Sequence, residues 1–154
     1  MKYYDFFNGD ADGIISLHQY RLHFPKKSEV FTGVKRDVKL LRHAVEIKNS
    51  TLSVFDISLL SNKDYMGEVL NNNNRVTWFD HHEPGETDLG ENFSIKVDAD
   101  PNCCTNILVD KYIFKLSFIS FLLDTISTEE RSLLKVGGKP QPVPKKGFSL
   151  LFII

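Results

Sequence analysis

Cysteine is nearly absent. The chain has two, Cys103 and Cys104, and adjacent residues do not readily adopt disulfide geometry. That argues against a disulfide-stapled secreted scaffold and fits a reducing compartment. An excess of one charge sign is also missing. Nineteen basic residues face twenty acidic ones, for a formal net charge of -1, so no global positive field exists to hold nucleic acid non-specifically. Any polyanion must be gripped locally. Long hydrophobic runs are lacking too. Asp5 and Asn8 interrupt what would be the apolar core of an N-terminal secretory signal. The longest later run, Leu116 to Leu123, falls far short of the roughly 20 residues that cross a bilayer. We therefore expect a cytoplasmic protein without membrane association.

The composition itself is ordinary. With 154 residues, 42% hydrophobic and 25% charged, the chain is long enough for one domain with a real core and short for two. Apolar runs of strand length recur at Tyr3 to Asn8, Val30 to Val34, Leu52 to Ile57, Val76 to Asp80 and Phe93 to Val97. Helical spacing fills the intervals at Ile14 to Phe24, at Val38 to Ile47 with Asp37 as its N-cap, at Asn62 to Leu70, and at Cys103 to Phe114 behind Asp100-Pro101. The run Asn71 to Asn74 reads as a polar turn. Five alternations of strand and helix predict an α/β fold: a mostly parallel five-stranded sheet with helices on both faces.

In such a sheet, ligands bind beyond the carboxyl ends of the strands, near a topological switch point. The residues at those ends form a pattern. The first strand runs into Asp10 and Asp12, the second into Lys35, Arg36 and Asp37, the third into Asp56, and the fourth into Asp80, His81 and His82. Carboxylates and a histidine converging on one rim need a cation to neutralise them. Carboxylate with imidazole suits manganese, with magnesium as the alternative, and two ions roughly 3.5–4 Å apart clamp a phosphoryl group and activate water. Asp56 is placed to bridge such ions. The Asp-x-Asp spacing of Asp10 and Asp12 puts both side chains on one side of an extended segment, each facing its own ion. The plain alternatives are that Asp12 is only the N-cap of a helix starting at Gly13, that Asp56 is another cap, and that His81-His82 is a solvated turn before Pro84.

Secondary roles attach to other positions. Lys35 and Arg36 are placed to hold a substrate phosphate, and Thr105, with the helix start after Pro101, to present backbone N–H groups to an anion. Asp98 and Asp100 read as turn and cap residues. Neither cysteine has a histidine near it in sequence to activate it as a nucleophile.

The segments NGDADG at 8–13, FDIS at 55–58 and FDHHEPG at 79–85 resemble, in order and spacing, the first three motifs of the DHH phosphoesterase superfamily. That group includes single-strand DNA exonucleases, nano-RNases, cyclic-dinucleotide phosphodiesterases and manganese-type inorganic pyrophosphatases. The likeness covers roughly residues 2–114. It implies a Rossmann-like DHH domain in which Asp10 and Asp12 each bind one manganese ion, Asp56 bridges the two, Asp80 and His81 complete the metal shell, and His82 contacts the phosphate or leaving group. Asp80 and His82 are thus the catalytic pair it implies. A further family motif supplies another aspartate, for which Asp124 in FLLDT is the candidate. Asn8 and Phe6 stand where many members carry histidine or aspartate, so Asn8 offers only a weak carbonyl ligand.

The likeness fades after Tyr112, where the composition changes. Residues 1–115 are expected to form the DHH domain. The 116–154 segment, apolar at first and then rich in glycine, proline and lysine, ends on FSLLFII and reads as the product of a truncated or frame-shifted gene, without the family's C-terminal substrate-binding domain. Its apolar end suggests association into a homo-oligomer. The expected activity is metal-dependent hydrolysis of a phosphodiester in a short oligonucleotide or nucleotide-like substrate. The competing expectation is a catalytically impaired nucleotide- or metal-binding module, or a gene fragment.

Overall fold

The structure, a computed structural model, describes residues 1–100 and 103–115. Pro101, Asp124 and the whole 116–154 segment, with the expectations placed on them, lie outside the described residues.

Each strand-length apolar run becomes a strand: β1 (Lys2–Asn8), β2 (Glu29–Gly33), β3 (Ser50–Phe55), β4 (Arg75–Asp80) and β5 (Phe93–Val97). They form one five-stranded sheet of order β2-β1-β3-β4-β5, in which every neighbouring pair is parallel. The fold is α/β, with an all-parallel described sheet. Side chains alternate between its two faces. Phe6, Val54 and Trp78 join one buried cluster with Leu40, Leu41, Met66 and Val69. Their neighbours Phe55 and Phe79 join another with Leu17, Val109 and Ile113, and Phe7 packs against it. Both faces are therefore covered, which is why these strands read as continuous apolar runs.

α1 (Ala11–His23) follows β1 almost without a loop. Two glycines permit this: a Cβ on Gly13 would collide with the Asn8 carbonyl, and one on Gly9 with the Gly33 carbonyl. Asp10 is the N-cap, its Oδ1 accepting from the N–H groups of Asp12 at 3.2 Å and Gly13 at 3.3 Å. The cap is thus Asp10, and not Asp12 as the plain reading of the sequence had it. Further along α1, Arg21 reaches buried Asp5 on β1, donating to its Oδ2 from Nε at 2.9 Å and Nη2 at 2.7 Å. α2 (Leu59–Asn71) is capped by Ser58, whose Oγ accepts from the Ser61 N–H, so Asp56 is not a helix cap either. α3 spans 105–115 of the described chain and packs Val109 and Ile113 onto the sheet.

The helix expected over 38–47 does not form; only a single 3-10 turn, Leu40–His43, is present. Tertiary bonds take the groups a longer helix would use. The Asp37 carboxylate holds the Arg42 guanidinium at 2.7 and 2.8 Å instead of capping. From α2, Asn62 donates to the Val38 carbonyl at 2.7 Å and accepts from the Leu41 N–H at 3.2 Å. The asparagine run is also more than a polar turn. Asn74 is fully buried, donates to the carbonyls of Ile47 at 2.6 Å and Val69 at 2.9 Å, and accepts from the Ser50 N–H at 3.0 Å.

The chain runs from β1 outward to β2, then back across β1 to β3. The switch point therefore lies between β1 and β3, where Asn8–Asp12 and Asp56 leave the sheet. No helix among the described residues is long and apolar enough to cross a membrane.

Candidate functional site

A cavity of about 520 Å³ opens at this switch point, its lining including Asn8, Asp10, Asp12, Lys35, Asp37, Asp56, Ser58, Ser61, His81 and His82. Because all strands are parallel, residues from β1, β3 and β4 reach the same rim.

Asp56 stands at its centre. It follows the last residue of β3 with φ +56, in the left-handed region that aspartate tolerates better than most residues but that still costs energy. Its N–H is held by the Phe79 carbonyl at 2.9 Å. That conformation turns the side chain inward, where it is 2% exposed. His81 Nε2 lies 3.3 Å from Asp56 Oδ1 and 3.8 Å from Asp12 Oδ2. Burial, followed by the negative charge of Asp12 and by Asp10, pushes the Asp56 carboxyl up to about 7. For Asp10, burial alone would raise the carboxyl, but the Gly13 N–H and Lys35 outweigh it and hold it below its ordinary value. The Lys35 ammonium sits 3.2 Å from Asp10 Oδ2. A side-chain contact between Asp10 and Asp56 helps lower the Asp10 carboxyl and raise that of Asp56.

Asp80 stands behind the histidines. It is fully buried, and its Oδ1 accepts from the His81 N–H at 2.9 Å and lies 2.6 Å from His82 Nδ1. The Asp80 hydrogen bond raises the His82 imidazole above its usual value. The same bond fixes Nδ1 as the donor nitrogen and leaves Nε2 to act as a ligand, the arrangement in which a carboxylate orients a metal-binding histidine. Asp80 Oδ2 is buried with no hydrogen-bond partner.

Asp12 is not on an extended segment, as its spacing from Asp10 suggested, because it lies in the first turn of α1. Its two oxygens accept the Thr105 and Asn106 N–H groups, each at 2.9 Å. The anion that the Thr105 and Asn106 N–H groups face is therefore part of this chain. The Thr105 hydroxyl lies 3.4 Å from Asp56 Oδ1. Of the two basic residues after β2, only Lys35 lines the cavity; Arg36 is exposed. Asp98 is a turn residue as expected, accepting from the Asp100 N–H at 3.2 Å.

The donor set suits a divalent cation. One ligand atom each from Asp56, His81 and His82 lie within 4.8 Å of one another, a carboxylate and two imidazoles of the kinds that ligate divalent metals. The raised Asp56 carboxyl and the buried, unpartnered Oδ2 of Asp80 both mark carboxylate charge short of compensation, since a buried carboxylate oxygen is costly without a partner. A second ion would draw on Asp10 and Asp12, whose oxygens keep free lone pairs beside the hydrogen bonds they accept.

Sequence reasoning did not find Ser58, Ser61, Val38 or Ile57 as cavity residues. Ser58 lies within FDIS and carried a signal, whereas the link from Asp12 to Thr105 spans 93 residues and had none. Compared with protein-family models and with curated proteins, the chain matches none.

Proposed function

We propose that the chain is a divalent-metal-dependent phosphoesterase of the DHH type, hydrolysing a phosphodiester in a short oligonucleotide or nucleotide-like substrate in the cytoplasm. The observation that carries this reading is the convergence of Asp56, His81 and His82 donors within 4.8 Å beside Asp10 and Asp12, at the carboxyl rim of a parallel sheet. The three motifs that resemble the DHH superfamily supply precisely those residues in NGDADG, FDIS and FDHHEPG.

In this reading Asp56, His81 and His82 hold one ion, Asp10 and Asp12 with Asp56 hold a second, and manganese is preferred over magnesium. Bound there, the ions would lower the pKa of water and neutralise charge on phosphoryl oxygens. Asp80 fixes the ring orientation of His82. Lys35 is 80% exposed at its side chain and free to swing from Asp10 to a substrate phosphate. Ser58 and Ser61 add hydroxyls to the cavity lining.

The test pairs Mn²⁺ binding with hydrolysis of dinucleotides and an aryl phosphodiester. Asp80→Ala and His81→Ala should each abolish hydrolysis while the chain still folds. A variant that retained the full rate would refute these roles. A second reading, binding without turnover, is favoured by Asn8 at the cavity wall and by the engagement of both Asp12 oxygens with backbone N–H groups. Nucleotide and Mn²⁺ binding without product would select it.

A further inference from the structure

α3 begins at Thr105. Cys103 and Cys104 precede it, and cysteine is a poor N-cap. Asp12 does that work from the far end of the chain, taking the Thr105 and Asn106 N–H groups at 2.9 Å each. Thr105 is fully buried, and its hydroxyl can donate to Asp56 Oδ1 at 3.4 Å. One helical turn therefore touches two carboxylates of the rim: its N–H groups hold both oxygens of Asp12 and its Thr105 hydroxyl limits the rotation of Asp56. Each bonded carboxylate oxygen keeps a lone pair for a cation, so these bonds and metal binding are compatible.

We infer that Thr105 is a positioning residue of the rim: with the first turn of α3 it holds Asp12 and Asp56 in the orientation a cation needs, so that cation binding and the ordering of α3 reinforce each other. This rests on the metal-binding reading above. Linkage requires reciprocity: if α3 raises cation affinity, the cation must protect α3 by the same factor.

The test uses Mn²⁺ alone. Binding is followed by electron paramagnetic resonance of the free ion for the parent chain, Thr105→Val and Thr105→Ser. The valine variant keeps the shape and the backbone N–H but lacks the hydroxyl; loss of such an outer contact should weaken binding about tenfold. The serine variant should stay close to the parent. Hydrogen exchange at the Thr105 and Asn106 amides of the parent chain should slow when Mn²⁺ is added, a readout that needs no variant and survives any failure of Thr105→Val to fold. Parent-like binding by Thr105→Val, equal weakening in Thr105→Ser, or exchange unchanged or faster with Mn²⁺ would each overturn the inference. If the parent chain binds Mn²⁺ and one of these results follows, only this inference falls. If it binds none, the metal-binding reading falls and this inference with it.

Discussion

The two rims of the sheet treat polar groups in opposite ways. At the amino rim, before β3 and β4, Asn49 and Asn73 adopt left-handed φ values of +53 and +58. They are residues that enter that region readily, and the Asn73 side chain donates to that of Asn49 at 2.9 Å. Buried Asn74 makes three hydrogen bonds with backbone groups. These asparagine side chains are neutral and hydrogen-bonded. At the carboxyl rim, Asp56 is left-handed, buried and pushed up to about 7, while Asp80 keeps a buried oxygen without a partner. Hydrogen bonding is complete for the asparagines at one rim and incomplete for the buried carboxylates at the other.

The largest effect should come from breaking the amino rim. Asn74→Ala leaves the Ile47 and Val69 carbonyls and the Ser50 N–H without their partner, and should cost about 3 kcal/mol in a urea unfolding series. A cost near zero would mean the two rims are not different in kind. At the carboxyl rim the sign should reverse. Asp56→Asn removes the buried carboxylate, and the metal-free variant should be more stable than the parent at pH 8 by on the order of 2 kcal/mol, while losing the stabilisation Mn²⁺ gives the parent. Destabilisation of the metal-free form would contradict the electrostatic account.

A further effect follows from pH alone. The Asp56 carboxyl is raised from 3.8 to about 7, so between those values the folded chain binds a proton that the unfolded chain does not. Stability from this group is present below the unfolded value and is lost as pH rises through the folded one, by at most about 1.4 kcal/mol per pH unit. The raised His82 value acts in the same direction. The lowered Asp10 value contributes stability that is lost only as pH falls through its folded value. The metal-free urea midpoint should therefore fall from pH 5 to pH 8. Saturating Mn²⁺ should flatten or reverse that slope, because binding requires the deprotonated carboxylate. A metal-free midpoint that rises over this interval would exclude the assignment.

The contrast between the rims was half legible in the sequence. Apolar runs gave β1 to β4, of which the central β1, β3 and β4 are buried on both faces and need no alternation, while alternation gave β5. The aspartates and histidines closing β1, β3 and β4 were visible once the strands were assumed parallel. Strand order was not legible, since nothing local tells β2 to pair outside β1. The 38–47 segment misled because its apolar spacing satisfies a helix, while the deciding bonds come from Asn62 on α2. Asp10 and Asp12 could not be told apart as cap and core of the cluster, because the partner of Asp12 lies on α3. The asparagine run looked like a turn because burial of Asn74 depends on three backbone groups distant in sequence or hidden in α2.

The most direct test of the central claim is calorimetric titration of the parent chain with Mn²⁺ at pH 7 in two buffers of different ionisation enthalpy. Saturable binding with proton release is predicted, as Asp56 gives up its proton, and the binding should be lost in Asp56→Asn and His81→Ala. Absence of binding, or binding that both substitutions leave unchanged, would contradict it.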